Sequence, residues 1–342
     1  MDRLLYFGYV VLTYIKHRNK LFEFSRCYKH KYKRPAFYFL FQTYMSFLKY
    51  SMHPMDYFYF DVYKNEVFNP NEYANTLFMY RFQKKLNNKK FTKYFYNKLL
   101  FNQKFRSFNN HDFLNIKTVS LQQLENWILK KNPNTLIIKK NNSAGGFGVK
   151  KINIEITKEG IRINNQPLNK YFNYLKKFDL LEEYVIQHED IMKLNPSCLN
   201  TIRIVTVLNS KGTIDIIGAA IRLGVNNDLD NVHAGGIAVN VNIETGCLNG
   251  IGFRLNPSEK KYFEFHPVTN IKFDGYQLPH WDLLIETVKR AAMVIPEVRT
   301  VGWDVAITEK GISLIEGNHN WHKTLIEKAL KKGIRKDLEK YI

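Results

Sequence analysis

Asp304 lies in the run GWDVAIT, and Glu316 and Asn318 lie two apart in ISLIEGN. Both runs read as strands, and the short turn at Glu309–Gly311 folds the first back beside the second. Residues i and i+2 of a strand face the same way, so Glu316 and Asn318 project together, and the hairpin can bring Asp304 next to Glu316. Two carboxylates and an amide oxygen are hard donors suited to Mg2+, with phosphate oxygens and water completing the octahedron. The neighbours Val305, Ile307, Leu314 and Ile315 predict a partly buried hairpin, where unpaired carboxylates would be costly. A metal site therefore explains these residues better than an exposed acidic hairpin does.

A second constellation precedes it. The run Thr135–Ile138 leads into Lys139 and Lys140 and then the loop NNSAGGFG, with glycines at 145, 146 and 148. Glycines let backbone N–H groups approach an anion, and a lysine adds a point charge, so the loop suits phosphate. It lacks the spacing of a P-loop and of a dinucleotide fingerprint. Taken alone, such a segment is more often only a hairpin. Between the two constellations lies LLEEYVIQH, residues 180–188. Glu182 and Glu183 are odd in a core strand but suit a hinge whose backbone near Tyr184 and Val185 reads a purine edge. Asp230, Asn231 and Gly235–Gly236 form either an acceptor-side loop or a simple turn. His233, His266 and His319 are scattered and read as structural or substrate-contact residues. No Ser/His/Asp or Cys/His set stands out.

The elements that must hold these residues change texture along the chain. Residues 1–110 are rich in aromatic and basic residues and read as mostly helical. From residue 135 the pattern turns strand-rich: 149–156, 180–186, 200–208 and 213–224 read as strands, with helices at 281–294 and 325–341. Antiparallel hairpins with flanking helices make an α+β fold.

Composition bounds the rest. The 342 residues are 45% hydrophobic, a folding composition, and carry a net charge of +20. Residues 1–130 hold 22 Lys/Arg against 8 Asp/Glu. This basic half suggests an anionic partner (nucleic acid, acidic lipid or an acidic polymer), or only solubility and codon bias. Three scattered cysteines, Cys27, Cys198 and Cys247, form neither a disulfide framework nor a zinc pattern, and a reducing cytoplasm fits them. The apolar run Leu4–Ile15 is shorter than the ~20 residues that span a bilayer. Its flanks are unlike those of a cleaved signal. It reads as a buried core helix in preference to one lying on a membrane surface.

The order of a lysine-ended strand with a Gly-rich loop, a Glu-bearing hinge strand and a D…E-x-N hairpin resembles the ATP-grasp superfamily. NKLLFN (97–102), LLEEYVIQH (180–188), SCLNTIRIVT (197–206), AAIRLG (219–224), DNVHAGGIAV (230–239), GWDVAIT (302–308) and LIEGN (314–318) narrow this. They look like the sugar-transfer-associated ATP-grasp family of bacterial polysaccharide gene clusters. The resemblance covers roughly residues 95–320.

It implies an ATP-grasp fold: a basic N-terminal region (1–115), a lid (116–185) and a C-terminal catalytic domain with an antiparallel sheet (186–342). It implies ATP and Mg2+ as cofactors. Lys139 matches the lid lysine on the phosphates; Lys140 stands where a proline is usual, so it is a second candidate. Ser143, Gly145 and Gly146 go with the same loop, and Lys98 looks like the first phosphate-side lysine. Glu182, Tyr184 and Val185 match the adenine hinge, with Glu183 and Glu189 grouped beside them. Asp304, Glu316 and Asn318 match the magnesium ligands. Arg203 and Arg222 line the active site, and Arg222 resembles the arginine that steadies the transferred phosphoryl group. The implied reaction is carboxylate–amine ligation through an acyl phosphate, on a sugar acid of a surface polysaccharide with an amino acid or other amine. The implied setting is cytoplasmic, with peripheral contact at an anionic membrane left open. The alternatives are a phosphotransferase on a sugar or lipid hydroxyl, and a nucleic-acid-binding protein. The second lacks any RNA- or DNA-module signature, so no nucleic acid is expected.

Overall fold

The computed structural model describes residues 3–64, 68–141, 148–225, 235–256 and 261–342. Helices open the chain: α1 (Arg3–Tyr32), α2 (Ala36–Tyr50), α3 (Asp56–Tyr59), α4 (Thr76–Leu86), α5 (Lys93–Tyr96) and α6 (Lys98–Lys104). Next come β1 (Phe113–Asn115), α7 (Leu121–Lys131), β2 (Thr135–Lys139), β3 (Val149–Thr157), β4 (Gly160–Ile163), β5 (Gln166–Pro167), α8 (Leu168–Leu175) and β6 (Leu180–Glu183). The last part holds α9 (Glu189–Leu194), β7 (Thr201–Leu208), β8 (Ile214–Leu223), β9 (Ile237–Val241), β10 (Leu248–Phe253) and β11 (Tyr262–Phe263). It ends with α10 (Trp281–Ala292), β12 (Thr300–Thr308), β13 (Gly311–Asn318), α11 (Lys323–Leu330) and α12 (Arg335–Glu339). The fold is α+β, as the strand and helix texture predicts.

Among the described residues the strands form two antiparallel sheets. The smaller runs β1-β6-β2-β3-β4-β5 and the larger β11-β10-β9-β8-β7-β12-β13. In the smaller sheet Leu136, Ile138, Ile152, Ile154 and Leu181 face one way and bury against Leu124 and Ile128 of α7 and Leu168 and Leu175 of α8. Strand alternation then leaves Ile137 and Lys139 on the opposite face. A reciprocal capping box, Ser120 with Gln123, starts α7.

The larger sheet is covered on both faces. Ile202, Ile204, Val301, Trp303 and Val305 pack with Leu284 and Val288 of α10 and with Phe95, Phe101 and Phe105. On the other face Val205 and Val207 meet Phe78, Phe82, Trp321 and Ile326. Beside them Ala220 and Ala238 pack under Leu21, Phe24 and Tyr28 of α1 and Phe39 of α2. The first helices are thus part of the cover of the larger sheet.

Lysines from late in the chain receive the α3 turn. Lys323 Nζ lies 2.6 Å from Asp56 Oδ2, and Thr324 Oγ1 donates to Asp56 Oδ1 at 3.0 Å. Lys261 bonds the Phe58 carbonyl oxygen at 3.1 Å and also pairs with Asp61. Glu327 sits 3.3 Å from Lys323 and accepts the Ala74 backbone N–H at 2.7 Å. Burial alone would raise the Asp56 carboxyl, yet Lys323 and neighbouring imidazoles hold it below its ordinary value. Glu327 is pushed by burial to about 7.

Three expectations change. The strand expected over 180–186 ends at Glu183, because β1 and β2 end there and offer no further partner. The helix expected over 325–341 is two helices: Lys331 adopts a left-handed φ of 54°, and a Cβ on Gly333 would meet the Glu72 carbonyl oxygen at 2.2 Å. The described side chains of the run Leu4–Ile15 are not those of a buried core helix, although Thr13 is buried and Tyr14 packs on the core. Tyr9, Val11, Leu12 and Ile15 are exposed, and the other core contacts of α1 come further along, from Leu21, Phe24 and Tyr28. Because Lys323 would lose the nearer of its two buried carboxylates and keep only Glu327 at 3.3 Å, Asp56→Ala should lower stability by about 3 kcal/mol in urea unfolding. A change under 1 kcal/mol, roughly that of an exposed pair, would mean the turn is not held this way.

Candidate active site

The charged residues of the large sheet fall in one row. Asp304 on β12 stands opposite Arg203 on β7 and opposite Glu316 on β13. Arg222 on β8 stands opposite Thr201, two residues from Arg203. Arg203 grips both oxygens of Asp304 through Nε and Nη2, the second contact being 3.0 Å. Arg222 Nη2 lies 3.1 Å from Asp304 Oδ2, and its guanidinium also donates to Thr201 Oγ1.

A bulge in β13 creates the row. Val305 pairs with Leu314 while Asp304 pairs with Glu316, so Ile315 is an extra residue. Leu314 and Ile312 face the apolar core. Without the bulge Glu316 and Asn318, at the same parity, would follow them inward. The extra residue moves both to the face that bears Asp304. Two glycines allow the close packing. A Cβ on Gly317 would meet Phe95 at 2.8 Å and Phe101 at 2.9 Å, and one on Gly302 would meet Trp321 Cβ at 2.6 Å.

The small sheet supplies the facing wall. Glu182 pairs with Ile137, so it lies diagonally across from Lys139 on the same face, and the two side chains form an ion pair. Asn102 Nδ2 donates to Glu182 Oε1 at 2.9 Å, and His111 Nε2 is 4.0 Å from Glu182 Oε2. From α6, Lys98 reaches to 3.9 Å of Glu316 Oε1. A small cavity between the sheets is lined by Lys98, Asn102, Lys139, Glu182 and Glu316. The Asn141 side chain accepts the Leu99 N–H at 3.1 Å, which ties the start of the Gly-rich loop to α6.

The other expected residues that the structure describes do not line this cavity. Lys140 has the opposite strand parity to Lys139, and its N–H bonds the Gly148 carbonyl at 3.0 Å. Glu183 points away from the cavity: it accepts the Asp112 N–H at 2.7 Å and pairs with Lys131 at 3.4 Å. Tyr184 and Val185 are half-buried just after β6, with Lys151 Nζ 4.9 Å from the Tyr184 ring centroid. Glu189 is exposed at the start of α9, its N–H bonded to Glu309 in the β12–β13 turn. It does not join the cavity cluster. Ser143, Gly145 and Gly146 lie outside the described residues, as do Asp230, Asn231 and His233. His266 is buried with Nε2 3.0 Å from the Gly224 carbonyl, a structural contact. The reading of the residues missed Asn102, His111 and Thr201. Only Asn102 had a signal: it is four residues after Lys98, on the same helical face.

Burial raises Asp304, but Arg203 and Arg222 more than offset it and hold the carboxyl below its ordinary value. Glu316 goes the other way, raised by burial and by the Asp304 charge, with Lys98 too distant to reverse it. Lys98 is correspondingly lowered, chiefly by burial. The Asn318 Nδ2 is buried with no hydrogen-bond partner. The Asp304 and Glu316 carboxyl groups and the Asn318 amide oxygen share this face, and such hard oxygen donors fit Mg2+ by their chemistry.

Glu316 holds its proton more tightly folded than unfolded, so its ionisation erodes stability as pH rises above the usual glutamate value, and the loss is complete above its folded value. At pH 8 Glu316→Gln should raise the melting temperature of the metal-free protein by roughly 2–4 °C, and the gain should vanish near pH 4. Mg2+ should stabilise the native protein but not this variant. Equal Mg2+-dependent shifts in both would remove Glu316 from the donor set.

No curated protein matches the chain. Among similar solved structures are N5-carboxyaminoimidazole synthetase from Staphylococcus aureus complexed with ADP and D-alanyl-alanine synthetase A from Vibrio cholerae O1 biovar eltor. The first has 11% identity and TM-score 0.39 over 67% of this chain and 46% of that one. The second has 11% identity and TM-score 0.40 over 70% of this chain and 60% of that one. A biotin carboxylase–β,γ-ATP complex from Campylobacter jejuni has 11% identity and TM-score 0.46 over 73% and 46%. The chain thus spans about half the length of such proteins. The family model for sugar-transfer associated ATP-grasp proteins matches residues 70–341, most of the chain, and the protein belongs to that family.

Proposed function

We propose that this protein is an ATP- and magnesium-dependent ligase that joins a carboxylate to an amine through an acyl phosphate. The observation that carries the reading is the cavity where Lys98 and Lys139 from one side meet Glu316 of the Asp304–Arg203–Arg222 row on the other. Membership of an ATP-grasp family supports it. The arrangement offers charge neutralisation and positioning, which are what phosphoryl transfer to a carboxylate and its aminolysis need.

In this reading Asp304, Glu316 and Asn318 hold Mg2+, which when bound neutralises phosphate charge and orients its oxygens. Lys139, Lys98 and the loop with Ser143, Gly145 and Gly146 receive the phosphates, with Lys140 alongside. Tyr184 and Val185, with Glu182 and Glu183 preceding them and Glu189 following, frame the adenosine. Arg222, braced by Thr201, and Arg203 face the group being transferred. The acceptor is an acidic sugar of a bacterial surface polysaccharide or its precursor, and the amine is an amino acid or similar. The working division is 1–115, 116–185 and 186–342, and the setting is cytoplasmic.

The test is a screen of uronic acids with amines for ATP conversion, with products identified by mass. Phosphate release that needs both acid and amine, with an amide product, is expected. A phosphorylated sugar formed without amine would replace the ligase reading by the phosphotransferase one. Glu316→Gln should cut turnover at least about a thousandfold, since it removes a ligand made for the cation. Lys139→Met alone would strand Glu182, so it is paired with Glu182→Gln. The double variant should keep its melting temperature and bind ATP roughly 30-fold more weakly in calorimetry, the loss of one charge-assisted contact. Unchanged affinity would take Lys139 off the phosphates.

A further inference from the structure

Helix α2 is apolar around nearly its whole circumference. Phe39, Thr43 and Phe47 are buried against the body of the protein. Phe37, Phe41, Tyr44, Met45 and Leu48 form a second stripe that is exposed, Phe37 by 72%. Their spacing of three and four residues puts them along one side. The neighbouring α1 adds exposed Val11, Leu12 and Ile15, Leu12 by 66%. The two helices touch where the Tyr14 hydroxyl lies 3.0 Å from Thr43 Oγ1 and where Tyr14 meets the Tyr44 ring. Such a concentration of exposed large apolar side chains on one hairpin marks a contact surface.

Charge says what covers it. Along α1 the apolar positions give way to exposed Lys16, Arg18 and Lys20, and the α1–α2 corner carries exposed Lys29, Lys31 and Arg34. Glu23 is the lone acidic residue from 3 to 50. A second copy docked by a two-fold contact would set these cations against their own images, which is unfavourable. A nucleic acid would satisfy the cations but leave Leu12, Ile15 and Leu48 without an apolar partner. An anionic bilayer surface supplies both phases, with acyl chains under the apolar side chains and headgroups beside the basic ones. Among the described residues no helix is long and apolar enough to cross a membrane, so the contact is superficial.

We propose that the α1–α2 hairpin seats this protein on an anionic lipid surface, with Phe37, Phe41, Leu48 and Leu12 entering the headgroup–acyl boundary. This stands on the hairpin alone and is independent of the ligase reading. The test is co-sedimentation of the full chain with phosphatidylcholine vesicles and with vesicles that also contain phosphatidylglycerol. Binding to the anionic vesicles should exceed binding to the neutral ones by about tenfold and weaken with salt. The exposed triple variant Phe37→Ser/Phe41→Ser/Leu48→Ser should bind roughly tenfold or more weakly at an unchanged melting temperature. Absence of sedimentation with either vesicle would overturn the proposal. So would a dimer in sedimentation velocity that the triple variant dissolves, or binding that single-stranded RNA competes away and the variant leaves intact.

Discussion

Two carboxylates set side by side, Asp304 buried and Glu316 half-buried, repel each other, and the large sheet is built around compensating that repulsion. Asp304 is neutralised by guanidinium groups from two neighbouring strands, so its charge persists despite burial. Glu316, on the edge strand, receives only the more distant Lys98. The imbalance makes one carboxylate a fixed anion and leaves the other with a looser counter-charge. Both depend on the bulge at Ile315, which turns Glu316 and Asn318 out of the core parity of Ile312 and Leu314. Bulges are frequent beside active sites because they re-aim side chains without ending the sheet.

The facing wall follows the same economy of charge. Lys139 and Glu182 neutralise each other across adjacent strands, and Asn102 completes the carboxylate's hydrogen bonding. A lysine held by a buried glutamate is pre-oriented, its position fixed by the pair. The wall is linked to the large sheet where His188 donates its N–H to the Ile307 carbonyl at 2.9 Å and Gln187 bridges to Thr308. The segment 184–186 between β6 and these contacts is the short connector that spaces the two walls.

The first helices answer a different demand. Their inner residues complete the cover of the large sheet, and the α3 turn is fixed by lysines more than 200 residues later in the chain. Their outer side chains, among them Phe37, Phe41, Leu48 and Leu12, are exposed. The hairpin therefore carries one apolar side inward against the sheet and another facing outward.

Much of this was legible in the residues. The β-type run Thr135–Ile138 put Lys139 and Lys140 at the end of a strand before a Gly-rich loop, and the turn before Gly311 placed Asp304 beside Glu316. Those features rest on strand period and turn chemistry, which act over a few residues. The exit of Glu183 from the cavity, the bulge at Ile315, the pairing of Asp304 with Arg203 and Arg222, and the exposure of Leu12 and Ile15 were not legible. Each depends on which strand or helix lies alongside, and apart from the bulge, whose partner is the other strand of its own hairpin, those neighbours are tens to hundreds of residues away in the chain. The sequence determined which groups could bind a cation and phosphates. Only the tertiary structure decided which of them are neutralised and which remain short of a partner, because burial and the distance between opposite charges exist only once the sheets have assembled.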